Sequence, residues 1–194
     1  RIRDWSSDVC SSDLGTTETA VISLGGIVAL EAVRVGSFDI DAAIQAHVRR
    51  EHGLAIGERT AEEIKKSIGS AMPTPNERDA EVRGRDLVSG LPKTVILTPQ
   101  EIREAIEDVV TQMVDSVIRC LAVAPPELSQ DFLTRGMYLV GGGSMLRGLA
   151  ERIERDTKVP VNMSPQPLEA VVLGAGHCVE NFSALRGMFM DSRR

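Results

Sequence analysis

The sequence predicts an α/β chain in which a larger layered unit carries a smaller α+β insertion, and three observations predict it. In the last third, short apolar runs alternate with helical patterns, as strands and helices do when they stack in layers. Near the start, the β-rich runs Glu18–Leu24 and Ile27–Val35 meet at Gly25-Gly26, the composition of a hairpin turn. Between these parts lie a helical pattern and a second hairpin, over roughly 53–97, which read as the insertion.

The elements follow in order. Asp39–Glu51 repeats Ile40, Ile44 and Val48 on one helical face, with Gly53 at the expected C-cap. In Glu58–Ser70, Thr60 and Glu63 have capping-box spacing, which places a helix start at Thr60. Met72–Asp79 holds two prolines and reads as a loop; Ala80–Leu87 and Lys93–Leu97 read as strands about Ser89, Gly90 and Pro92. Thr98-Pro99-Gln100-Glu101 is a strong helix start, with N-cap Thr, Pro at the first helical position and Glu three residues on. Ile102, Ile106, Val109, Met113 and Val117 then line one face of a long helix that Pro125-Pro126 ends. Met137–Val140 is a strand, Gly141-Gly142-Gly143 a turn into a helix with Leu146, Leu149 and Ile153, and Val159–Met163 another strand. Pro165–Pro167 leads into a last helix through Leu173 and Val179.

Arg1–Leu14 stands apart: it holds the only Trp, is rich in Ser and Asp, and has no period. It resembles a translated sequencing adapter, and is expected to be an artefact or a disordered arm outside the fold.

Composition bounds the function. At 42% hydrophobic and 26% charged the chain is an ordinary globular sequence, and 3% aromatics leaves the core to aliphatic side chains. A net charge of −6 without a basic stripe argues against nucleic acid as partner. No apolar run approaches the about 20 residues of a membrane helix. Cys10, Cys120 and Cys178 are few and far apart, as reduced cytosolic thiols are. His47, His52 and His177 show no metal-ligand spacing with one another or with the cysteines, which leaves them surface or packing roles.

Three places can carry chemistry. Gly141–Met145 follows a strand, where glycine lets backbone N–H groups approach a ligand closely; its spacing fits neither a P-loop nor a dinucleotide fingerprint. On the helix after Thr60, Glu62, Lys65, Lys66 and Gly69 share one face at about 100° per residue, opposite Ile64 and Ile68. That face is either a solvated set of ion pairs or a nucleoside wall, with Glu62 accepting from ribose hydroxyls and a Lys stem against the purine. Gly15-Thr16-Thr17-Glu18 offers turn hydroxyls and N–H groups for a phosphate or a metal-bound water.

Together these strings resemble one family, the bacterial actin-like cell-shape proteins MreB and Mbl, over nearly all of Gly15–Glu180. GTTETAVISLGGIV is similar to the second phosphate hairpin of that family, IGERTAEEIKKSIGSA to its nucleoside helix, EVRGRDLVSGLPKT to the hairpin of its smaller C-terminal subdomain, LVGGGSMLRGL to its adenosine motif and LEAVVLGAG to its second connecting helix. The glycine motif alone is shared more widely, with sugar kinases and chaperone ATPases, and the alternative from another functional class is a non-catalytic interaction module, a truncated actin-like half that only caps or binds partners.

The resemblance implies an actin-like (ribonuclease H-like) ATPase fold: a larger subdomain from 15–53 and 98–181, a smaller one from 54–97 and a tail over 182–194. It implies ATP or ADP with Mg2+, held by Gly15, Thr16 and Thr17 at the β/γ-phosphates, by Glu62, Glu63, Ile64 and Lys65 at ribose and adenine, and by Gly141, Gly142, Gly143, Ser144 and Met145 along the nucleoside. Filament self-assembly, morphogenetic and cell-wall synthesis partners, and a cytoplasmic, membrane-associated place in the cell are implied with it. Asp13-Leu14-Gly15-Thr16 departs from the family's Asp-Gly-Gly-Gly-Thr. The family's first phosphate loop and water-orienting acid precede this point, so the fragment is expected to have negligible ATPase activity and to bind nucleotide weakly.

Overall fold

The computed structural model describes residues 8–13, 15–23 and 26–185. Gly25 of the expected hairpin turn and residues 186–194 of the expected tail lie outside them. Among the described residues, eight strands form two sheets. The larger sheet has the order β3-β2-β1-β7-β8, from β1 (Asp8–Asp13), β2 (Thr16–Ser23), β3 (Gly26–Val33), β7 (Met137–Val140) and β8 (Val161–Met163). The first three strands are antiparallel to one another, whereas β1, β7 and β8 run parallel. The smaller sheet is β4-β5-β6, from β4 (Leu54–Ala55), β5 (Ala80–Asp86) and β6 (Pro92–Leu97).

Asp8–Asp13 therefore does not stand apart as its composition suggests. It is the middle strand of the larger sheet, paired Cys10↔Thr19 on one side and Cys10↔Leu139 on the other. The backbone ladders of two neighbours recruit a segment whose polar residues show no period.

The core between the sheets is helical. α1 (Ser37–His52) buries Ile40, Ile44 and Val48, and Gly53 ends it in the left-handed region. α3 (Pro99–Val123) buries Ile102, Ile106, Val109, Val110, Met113 and Val117. Its N-terminus is capped as the sequence dictates: Glu101 N–H donates to Thr98 Oγ1 at 3.2 Å and Thr98 N–H to Glu101 Oε2 at 3.4 Å. Met137 and Leu139 of β7 and Ile153 of α5 (Leu149–Thr157) close the core from the other side.

Two helix starts differ from expectation. α2 (Glu58–Ile68) is N-capped by Gly57 without a side-chain cap, so Thr60 lies in its first turn and Glu63 pairs with Arg59 at 3.2 Å. The helix after the triple glycine starts late: Gly142–Met145 is a 3₁₀ turn, Leu146 is extended, and α5 begins after Gly148 at a φ of 74°. Consecutive glycines favour the tight turn over a helical start. α4 (Ser129–Arg135), α6 (Ala170–Glu180) and the short α7 (Phe182–Leu185) complete the chain. Among the described residues no helix is long and apolar enough to cross a membrane.

Polar contacts lock the helices where the core alone would let them slide. Lys65 of α2 reaches α1, donating to Asp41 Oδ2 at 2.9 Å and Ser37 Oγ at 2.6 Å, with only 12% and 11% of the Lys65 and Asp41 side chains exposed. Asp41 Oδ1 is buried without a partner. Breaking a buried pair strands its remaining charge, so Lys65→Met should cost about 3–5 kcal/mol by urea unfolding, and adding Asp41→Asn should recover most of it. Arg152 of α5 grips Glu107 of α3 with two bonds, at 2.6 and 3.0 Å. The Arg152 guanidinium holds the Glu107 carboxyl below its ordinary 4.5. A depressed folded value contributes stability above the unfolded one that is lost as pH falls through it. Glu107→Gln should thus cost about 1 kcal/mol at neutral pH, since the carboxylate is partly solvated, and the deficit should fade below about pH 4.5.

Candidate functional site

A cavity of about 600 Å³ opens between α2 and the glycine turn. One wall is the charged face of α2: Glu62, Lys65, Lys66 and Gly69. The opposite wall is Gly141, Gly142, Gly143 and Met145, continued by Leu146 and Arg147. Ser37 and Ile40 of α1 form the floor; Leu168 and Val171, at the start of α6, form a lip. The size falls within the range of about 300–1,000 Å³ typical of small-molecule sites, and the mixture of aliphatic surface with a few polar groups is equally typical.

The glycine wall depends on its lack of side chains. Gly141 adopts a φ of 85°, and its N–H donates to Pro167 O at 2.7 Å. A Cβ on Gly142 would lie 3.2 Å from Leu168 Cδ2, so any larger group would push into the lip. Gly142 and Gly143 occupy the first turn of the 3₁₀ segment, where backbone N–H groups have no partner within the helix. Ser144 points away from the cavity: it is buried beneath the turn and donates to Gly141 O at 2.7 Å.

On the α2 wall, Lys66 and Glu62 pair at 2.7 Å, and that hydrogen bond holds the Glu62 carboxyl below its usual range. Lys65 lines the cavity with its stem while its ammonium is committed to α1. Glu63 and Ile64 do not line it. Ile64 is 3% exposed in the core, and both border a separate depression toward β5. Neighbours in sequence leave a helix about 100° apart, so a contiguous stretch cannot all meet one ligand.

Gly15, Thr16 and Thr17 also lie outside the cavity lining. Thr16 opens β2 opposite Asp13, and Thr17 is buried, its hydroxyl donating to Val35 O at 2.7 Å. The sheet nonetheless brings this hairpin to the glycine turn. β1 and β7 are parallel with Ser11 opposite Val140, so Gly15 and Gly141 both follow strand ends on the same edge of the sheet. Ligands of parallel sheets gather at the carboxyl ends of the strands.

Arg147 escaped the sequence reading. Its guanidinium donates to Ser67 O and, at 3.2 Å, to Gly69 O, while its carbonyl accepts from Ala71 N–H at 2.7 Å. It thereby fastens the C-terminal end of α2 to the glycine turn. Its partners lie about 80 residues upstream, beyond any local pattern; the one available signal is a cation directly after a glycine-rich turn.

A family model described as MreB/Mbl protein matches residues 7–187. The chain is 46% identical over 166 residues to the cell shape-determining protein MreB of Escherichia coli (strain K12), covering 86% of this chain and 48% of that one. It is 38% identical over 171 residues to the cell shape-determining protein Mbl of Bacillus subtilis (strain 168), covering 88% and 51%. Its fold matches the crystal structure of MreB5 of Spiroplasma citri bound to ADP with a TM-score of 0.86 at 33% identity, over 91% of this chain and 54% of the other. A MamK double helical filament, at 21% identity and a TM-score of 0.75, shares the fold. The chain spans about half the length of the curated relatives it matches. The fold is therefore actin-like, and the chain belongs to the MreB/Mbl family.

Proposed function

We propose that this chain supplies the nucleoside-binding half of an ATP or ADP cleft in a bacterial actin homologue, one that assembles into filaments and organises cell-wall synthesis and rod shape. The observation that carries the reading is the single cavity shared by the charged face of α2 and the glycine turn. The residues fit the group. Aliphatic surface from Ile40, Leu146, Leu168 and Val171 suits the faces of a purine, and Glu62 suits the ribose hydroxyls. Gly142 and Gly143 leave room for the nucleotide to lie against backbone N–H groups.

In this reading the turn at Gly15 and Thr16, which shares a sheet edge with the glycine turn, serves the phosphates and their Mg2+, and the Thr17 hydroxyl, already bonded to Val35 O, does not. The MreB5 structures with ADP and AMPPNP support nucleotide as the ligand, and the cell-shape relatives support the filament role. Self-association, morphogenetic and cell-wall synthesis partners, and a cytoplasmic position against the inner membrane belong to the same proposal.

Two experiments test it. Titration of the purified chain with a fluorescent ADP analogue should show saturable binding, weakened at least about 10-fold by Gly142→Val and by Glu62→Ala. Equal binding by the wild type and both variants, with unchanged circular dichroism, would remove the cavity from the reading. Negative-stain electron microscopy of a family-length polypeptide containing this segment should show filaments with ATP; a chaperone or sugar-kinase relative would form none.

A further inference from the structure

Two of the histidines that looked unrelated in the sequence come together in the fold. His47 and His52 lie on the last turns of α1, and Glu101 lies on the first turn of α3. His47 Nε2 is 2.8 Å from Glu101 Oε1, His52 Nε2 contacts the same oxygen, and the three atoms all lie within 4.8 Å of one another. We propose that these residues form a divalent transition-metal site of the zinc class, independent of the nucleotide cleft.

Several features of the geometry support this. Two imidazole nitrogens and a carboxylate are the donor set of borderline cations such as Zn2+ and Co2+, whereas Mg2+ prefers oxygen donors throughout. A tetrahedral ion with bonds of about 2.0–2.1 Å sets its ligand atoms about 3.4 Å apart, so His47 Nε2, at 2.8 Å from Glu101 Oε1, needs to back away only slightly to admit one. The two rings sit 6.5 Å apart, tilted by 58° and unstacked, and both present Nε2 to the same Glu101 oxygen. Glu101 is held from behind, because its other oxygen accepts from Thr98 N–H. The cluster borders an open cleft that also exposes Glu104 and Asp108, which share the Glu101 stripe of α3 at i+3 and i+7 and add negative field. A fourth position is left to water or to one of these carboxylates.

The position gives the ion a structural role. His52 is followed by Gly53 and β4, where the chain enters the smaller sheet; Glu101 follows Leu97 and Thr98, where it leaves. A metal there ties together the two crossings between the sheets and restrains any hinge between them.

The test is calorimetric titration of the full chain with Zn2+, together with the visible spectrum of bound Co2+. One equivalent is expected, with d–d bands of a four- or five-coordinate ion. His52→Gln, and Glu101→Gln, which keeps the capping box, should each weaken binding at least about 10-fold, while His177→Gln should leave it unchanged. Zn2+ at 100-fold excess over its dissociation constant should raise the wild-type Tm by roughly 5 °C or more, reversibly with EDTA, and leave that of His52→Gln unmoved. Absence of stoichiometric binding, or binding equal in the wild type and both triad variants, overturns the site.

Discussion

The cavity exists because the C-terminal end of α2 is tied to the turn that follows β7. Helices end in carbonyls that lack partners within the helix, and the negative end of the helix dipole lies there. Arg147 satisfies both conditions with one planar cation bonded to Ser67 O and Gly69 O. Backbone contacts reinforce it: Ser70 bridges Arg147, and Ala71 N–H donates to its carbonyl. Gly148 makes the approach feasible, since at its φ of 74° a Cβ would lie 2.8 Å from Met72 N. This tie joins α2, which packs on α1 and on β5 of the smaller sheet, to the turn that follows β7 of the larger one.

The remaining geometry follows from how the larger sheet is ordered. β1 sits between an antiparallel partner and a parallel one. Its antiparallel side pairs Asp13 with Thr16 around a tight turn that holds Gly15, and its parallel side aligns that turn with the one after Val140. α3 lies beneath β2 and β3 and also meets α1 and α5, so it sets the depth of the floor on which Ile40 and Ser37 stand. The nucleotide reading thus rests on backbone topology as much as on any side chain.

Much of this was legible in the sequence where a regular period met a strong local signal. The Thr98 capping box and the aliphatic stripe from Ile102 to Val117 appear in the fold as read, because local hydrogen bonding and burial favour the same helix. The shared face of Glu62, Lys65, Lys66 and Gly69 follows from helical rotation alone. The misses lie where long-range pairing overrides local preference. Thr60 resembled a cap, yet Gly57 begins the helix one turn earlier. Thr17 resembled a turn hydroxyl, yet strand alternation sends it, with Thr19 and Val21, into the interior. Asp8–Asp13 carries no apolar alternation and is held by ladders to its hairpin partner β2 and to β7, which is remote in sequence. His47, His52 and Glu101 converge only because the chain leaves for the smaller sheet and returns to the same corner.

The charges around the cavity bear on which part of a nucleotide this half can recognise. Three cations border it, and each is already engaged: Lys65 by Asp41 and Ser37, Lys66 by Glu62, Arg147 by the carbonyls ending α2. The chain as a whole carries −6. A wall whose cations are neutralised by its own structure offers little net field to a triphosphate, but it offers carboxylate, aliphatic surface and glycine backbone to a sugar and a base. On the proposed nucleotide reading, phosphate recognition would fall to backbone N–H groups at the strand ends, where Gly15 and Gly141 share an edge. That division of labour, with side chains for the nucleoside and main chain for the phosphates, would fit a cavity whose charged side chains are already paired and whose opposite wall is a glycine turn.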